Sequence, residues 1–227
     1  HRGGTRALAA GAVLFSALGC SVTTEEPWPP CERSASLPMG QYLQPFDVID
    51  YDDPGVAALA ERLATESPNA TATAQHCFEW VRDEIAHSLD VGATRVTLSA
   101  SEVLREGSRF CYAKSHLLAA LLRANGIPAG MCYQRLSENG EGAPYCLRGL
   151  NGVFLEDHGW YRIDPRGNRG DIDAQFSPPV EKLAYPITLE GEADLPDILS
   201  EPLPIVVEAL RRFTTTPDLR ANLPDVP

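Results

Sequence analysis

In the stretch RFCYAKSHLL, residues 109 to 118, one cysteine stands at the mouth of a helical segment. A thiol in the first turn of a helix feels the positive end of the helix dipole and several free N–H groups. Both stabilise the thiolate, the reactive form, so Cys111 has a physical reason to be a nucleophile for acyl chemistry. The plainer reading is a small buried thiol, because free cysteine packs like a small hydrophobe. A nucleophile also needs a base, and the second stretch to search is YCLRGLNGVFLEDHGWYRIDPRGN, residues 145 to 168. It offers Arg148 within a strand, Asp164 at a strand end and His158 at a turn. Arginine stays protonated at any physiological pH and cannot serve as that base.

The remaining histidines read plainly. His116 lies five residues beyond Cys111 on the same helix, well round from the thiol at about 100° per residue, which suits a packing or surface residue. His87 follows a helix end, where a histidine meets the dipole favourably. His76 and Cys77 are adjacent on a helix, so they point in different directions and make a poor metal pair. His158 is a substitute base only if its turn comes near the thiol. Gln134, on the strand after the cysteine helix, could donate to an oxyanion. Lys114 and Ser115 read as the polar face of that helix. With no C-x-x-C pair, no spaced His/Cys set and no glycine-rich phosphate loop, neither a metal nor a cofactor is expected.

Several elements must position these residues. DDPGVAALAERLATES starts a helix at Asp53 and Pro54, with Val56, Leu59, Ala60 and Leu63 in one stripe. A second helix runs from about Ala70 to Ala86, with Ala74, Cys77, Val81 and Ile85 on one face. SASEVLREG is a short helix with a capping box of Ser99 and Glu102, stopped at Gly107. Ser108 then offers a cap for the cysteine helix, whose stripe is Ala113, Leu117, Ala120, Leu121 and Ala124. AGMCYQRL, YCLRGLNGVFL and GWYRID are strand-like, the last two joined by a tight turn at Glu156, Asp157 and His158. Pro204 begins a final amphipathic helix, PIVVEALRRF. Helices followed by antiparallel strands predict an α+β domain.

The chain has 227 residues, 22% of them charged and 44% hydrophobic, enough for one domain with a good core. The net charge of −12, with no basic cluster, argues against a nucleic-acid partner. Residues 1–20, HRGGTRALAAGAVLFSALGC, follow the layout of an export signal: two arginines, an apolar run, then small residues. SALGC also resembles a lipoprotein cleavage motif, which would make Cys20 a lipidated membrane tether and the protein periplasmic or lipid-anchored. If the signal is not real, the location is cytoplasmic. Residues 21–41 read as a Pro/Ser/Thr-rich linker, 42–204 as the folded domain and 205–227 as a C-terminal helix and tail. Cys132 and Cys146 fall on two neighbouring strands, where a disulfide and two buried thiols are both open.

ASEVLREGSRFCYAKSHLLAALLRANGIPAG, followed by strands and GWYRIDPRGN, resembles the bacterial branch of the transglutaminase-like superfamily, from about Tyr42 to Leu203. The resemblance implies a papain-like core in which a nucleophile-bearing helix packs on an antiparallel sheet. It also implies Cys111 as nucleophile, Asp164 as the residue that orients the base, and a peptide or protein substrate whose amide bond is hydrolysed or exchanged. The family's histidine is expected directly before GLN, and Arg148 stands there. The triad then reads Cys111, Arg148, Asp164, with Arg148 expected to pair with Asp164. Losing general acid–base catalysis costs typically ~10²–10⁴-fold, so turnover should be impaired. The alternative function is a catalytically silent relative that binds a peptide or protein in the same groove.

Overall fold

The structure is a computed structural model that describes residues 37–226. The signal-like segment, most of the linker, Cys20 and Cys31 lie outside the described residues. A short 3-10 helix, Met39–Leu43, leads into α1 (Pro54–Thr65) and α2 (Ala70–Glu84). Asp53 caps α1 by accepting from the N–H groups of Gly55 and Val56, and Asn69 caps α2 through Ala72. The buried faces of α1 and α2 carry the apolar stripes that the spacing predicts, Val56, Leu59, Ala60 and Leu63 on the first and Ala74, Cys77 and Val81 on the second.

A short strand β1 (Ala86–His87) and a single turn α3 (Ser88–Val91) precede α4 (Ala100–Glu106). Ser99 caps α4 by accepting from Glu102 N–H, Glu102 Oε2 in turn accepts from Leu98 N–H, and Gly107 ends the helix at φ +75°. Strand β2 (Ser108–Arg109) then pairs in parallel with β1, so that His87 stands opposite Arg109. This pair was not expected. It places Phe110, not Ser108, at the N-cap of α5 (Cys111–Ala124), without a side-chain cap.

Helix α5 differs from its sequence reading. Every residue from Cys111 to Arg123 is buried, so it has no polar face. Helices α1, α2 and α4 surround one side of it and the sheet covers the other. The sheet consists of β3 (Ala129–Ser137), β4 (Tyr145–Leu155), β5 (Gly159–Ile163) and β6 (Ala193–Asp194) in the order β5-β4-β3-β6, all antiparallel. Leu147, Asn151, Val153, Met131 and Tyr133 face α5 and are buried. The opposite face holds Cys132 and Leu150, packed with Tyr42 and Ile198. There Gly130 is required, because a Cβ on it would stand 2.4 Å from Ile198 Cγ2. Residues 164 to 203 form a long, largely irregular excursion: Phe176 packs on Phe78 beside α2, β6 pairs with β3 at the sheet edge, and Ile198 covers the second face.

Helices α6 (Pro204–Arg212) and α7 (Thr216–Arg220) close the fold. The chain after them returns to the sheet: Leu147 N–H donates to Pro224 O at 2.8 Å, and Arg135 makes a bidentate pair with Asp225 at 2.7 Å. Among the described residues no helix is long and apolar enough to cross a membrane. The architecture is α+β, a nucleophile-position helix packed on an antiparallel sheet.

Candidate active site

Cys111 is the first residue of α5 and is 3% exposed. Strand β4 comes up against it at Gly149, whose N–H donates to the thiol. Glycine eases this approach, since a Cβ there would stand 3.1 Å from Tyr112 Cδ1 and 3.2 Å from Tyr112 Cα and crowd the helix. Tyr112 completes the junction, its hydroxyl donating to Leu147 O at 2.6 Å. Burial pushes the Cys111 thiol above its ordinary range; the Arg148 charge and the Gly149 N–H pull it down, and Asp164 pushes it up. Burial is the largest of these effects, so the dipole argument from sequence does not by itself yield a standing thiolate.

Arg148 and Asp164 thus both lie close enough to Cys111 to act on it through charge. Arg148 is half-buried, its guanidinium 5.9 Å from the Tyr185 ring centroid, and its enclosed Nε meets no acceptor. Burial opposes its charge, but the ionisable sulfurs of Cys111 and Cys146 outweigh that and hold it protonated. The expected Arg148–Asp164 pair is not formed. Asp164 Oδ1 accepts from Arg166 N–H at 3.0 Å and Oδ2 from Ala184 N–H at 3.2 Å, because the backbone folds round the carboxylate after β5. Burial raises its pKa in spite of these donors.

Gln134 lies opposite Arg148 on β3, but its donor is spent. Nε2 donates to Asp194 Oδ1 at 2.9 Å and to Tyr185 O at 3.3 Å, which takes it out of the oxyanion role expected of it. His158 is exposed in the turn between β4 and β5, past the end of β4 remote from Arg148. The seven residue steps from Arg148 to Leu155 span about 23 Å of strand, so His158 is not brought to Cys111. Cys132 and Cys146 are not joined by a disulfide and do not face each other, since Cys132 pairs with Leu150 and Cys146 with Leu136.

The residue that sequence reasoning passed over is His87. It lies not against the dipole of α2 but on β1, 2% exposed, its ring 5.4 Å from that of Phe110 at the start of α5. Leu89 N–H donates to Nδ1, at 3.4 Å, and Nε2 has no partner among the described residues. Burial, then the charges of Arg166, Lys114, Arg148 and Arg169, hold its pKa well below the usual value. Its signal in the sequence was the parallel pairing of two dipeptides, too short to show as strands.

Lys114, read as surface, is fully buried. Its Nζ donates to Ile85 O, and at 3.4 Å to Arg82 O and Arg166 O, tying α5 to the end of α2 and to the turn after β5. Burial and Arg166 lower its pKa to about 7. Arg166 itself pairs with Asp90 at 2.6 and 3.0 Å. His116 is also buried, its Nδ1 2.7 Å from Leu98 O and its pKa lowered by burial to about 4. Among the described residues no group of three or more His, Cys, Asp or Glu side chains is placed to hold a metal ion.

Residues 57–165 match the model of the transglutaminase-like superfamily. No curated protein matches the sequence. Among solved structures, a candidate cysteine protease from Cytophaga hutchinsonii is 20% identical with a TM-score of 0.48, covering 58% of this chain and 43% of the other. The periplasmic domain of TgpA from Pseudomonas aeruginosa is 21% identical with a TM-score of 0.41, covering 57% and 48%. The chain therefore spans less than half the length of these solved relatives. The matched segment takes in the thiol on its helix, the strand that meets it and the carboxylate after β5, and residues 57–165 are a transglutaminase-like segment.

Proposed function

We propose that this protein binds a peptide or protein partner in a transglutaminase-like cleft, and that Cys111 keeps the nucleophile's place with turnover largely lost. Arg148 carries this reading. It stands one residue before the Gly149 N–H that meets the thiol, and it remains charged. A fixed cation can hold a thiolate, so attack on an activated ester remains open: the S–C bond forms and the alkoxide departs. Releasing the acyl group is different. A water or amine must lose a proton as it attacks the thioester, and a guanidinium cannot take that proton up.

Incubation with p-nitrophenyl acetate, followed by mass measurement of the intact chain, tests this. One acetyl group is expected to persist on Cys111 without continued release of nitrophenolate, and Cys111→Ser should lose it. Arg148→His should raise turnover by ~10²–10⁴-fold. Many turnovers by the unchanged chain through Cys111 would sink the binding reading.

One observation favours a second reading, a working amide hydrolase or acyltransferase. His87 lies in the same charged cluster as Cys111, within reach of Arg148 and Arg166, which also act on the thiol. Under that reading the unchanged chain turns over, and His87→Gln abolishes turnover while sparing Cys111 alkylation.

A further inference from the structure

We propose that Arg148, His87 and the free N–H groups at the start of α5 form a carboxylate subsite beside Cys111, so that the group held there is a peptide carboxylate. The inference rests on the binding reading above and names the chemistry of what is bound.

The first observation is an unanswered cation. Three other buried guanidinium groups are matched: Arg162 by Glu181 and Asp194, Arg166 by Asp90, Arg123 by carbonyls of Ala129, Gln44 and Ser200. Arg148 has no hydrogen bond or ion pair among the described residues, and the nearby carboxylate that could match it, Asp164, is taken up by two backbone N–H groups. A half-buried charge with no hydrogen-bonded counter-ion is open to one, and a planar carboxylate answers a guanidinium with two parallel bonds.

The second observation is independent. His87 is 2% exposed and its Nε2 has no protein partner. Because Leu89 N–H donates to Nδ1, the ring proton sits on Nε2, which is therefore a donor. Four cations near His87 disfavour its protonated form, so the ring stays a neutral donor. Helix α5 is 14 residues long, and Phe110 supplies no side-chain cap to its first N–H groups. Donors and positive charge thus meet at one place, where the Asp164 carboxylate is already taken up by backbone N–H groups. Arg166 and Arg169 already share Asp90, so one negative charge is enough to balance Arg148.

The test is an NMR titration of the ¹⁵N-labelled full chain with N-acetylglycylglycine and with its primary amide, read at Tyr112, Gly149 and His87. The acid is expected to give saturable shifts and to bind about tenfold or more tightly than the amide, as a charge-assisted pair implies. Arg148→Gln should remove that preference and Arg148→Lys should keep part of it. N-acetylglutamic acid α-amide, with its carboxylate on the side chain, separates an acidic side chain from a chain terminus as the source; binding by either supports the subsite. Equal affinity for acid and amide, no shift with either carboxylate, tighter binding of inorganic phosphate, or a preference that survives in Arg148→Gln would each overturn it. The acid-against-amide comparison in the unchanged chain decides the matter even if the glutamine variant fails to fold. A persistent acetyl adduct with no carboxylate preference would remove this proposal alone; carboxylate binding with full catalytic turnover would remove the binding-only reading instead.

Discussion

A thiol that exchanges acyl groups must first ionise and then pass protons on, and these demands fall on different neighbours here. Ionisation is governed by burial, Arg148 and the Gly149 N–H, in that order. Alkylation of Cys111, followed by peptide mass spectrometry against pH, should titrate above the ordinary thiol range of about 8.5. Gly149→Ala should move that profile further up, because the added methyl pushes β4 off Tyr112 and draws the N–H away from the sulfur. The same crowding should cost about 1–3 kcal/mol of stability. An unchanged profile in the alanine variant would show that the Gly149 N–H does not support the thiolate. Much of this site was legible residue by residue. The cysteine could be picked out from its place at a helix mouth, the aspartate and the arginine in place of histidine only through the family resemblance. What could not be read was orientation: that Asp164 turns to its own backbone, that Gln134 spends its amide on Asp194, and that His87 stands beside the cysteine helix.

At the scale of elements, the strands β3, β4 and β5 and the turn at 156–158 were visible because half-buried strands alternate and glycine marks their ends. Helix α5 was misjudged for a physical reason. Its lysine, histidine and arginine signal an exposed face only if they reach water, and here each is answered by backbone. Arg123 shows the scale of that substitution, with donors on Ala129 O, Gln44 O and Ser200 O joining the end of α5 to β3 and to two distant loops. Partners up to 79 residues away leave no trace in local periodicity. Arg123→Met should therefore destabilise by about 3 kcal/mol or more, since it strands several buried carbonyls. A urea midpoint within error of the unchanged chain would show that water, not Arg123, satisfies them. The excursion from 164 to 203 was missed for the opposite reason: it has too little regular structure to give a period.

For the whole molecule, the buried bases and thiols set a window of stability. His116 titrates near about 4 when folded and near ~6.5 when unfolded, so the unfolded chain binds a proton first as pH falls. Stability is then lost between ~6.5 and about 4, by roughly 3 kcal/mol from this group. His87 acts in the same direction; Asp164, raised by burial, opposes it. Lys114, lowered to about 7, adds stability as pH rises from there towards ~10.4. Cys146, pushed up to about 11 by burial, takes stability away once unfolded thiols ionise above ~8.5. Urea midpoints should accordingly be highest between about pH 7 and 9 and fall steeply below ~6. A midpoint that is flat from pH 5 to pH 8 would contradict the buried, neutral state of these histidines.

The return of the chain at Pro224 has a mechanical consequence. Its carbonyl holds Leu147 N–H, and the next residue, Asp225, grips Arg135 on the neighbouring strand. Leu147 is adjacent to Arg148 and two residues from Gly149, so tension on the chain beyond Pro224 bears directly on the strand that meets the thiol. The tail is thus a lever whose short arm ends at Cys111, and a load attached there would be felt in the cleft before it was felt in the core.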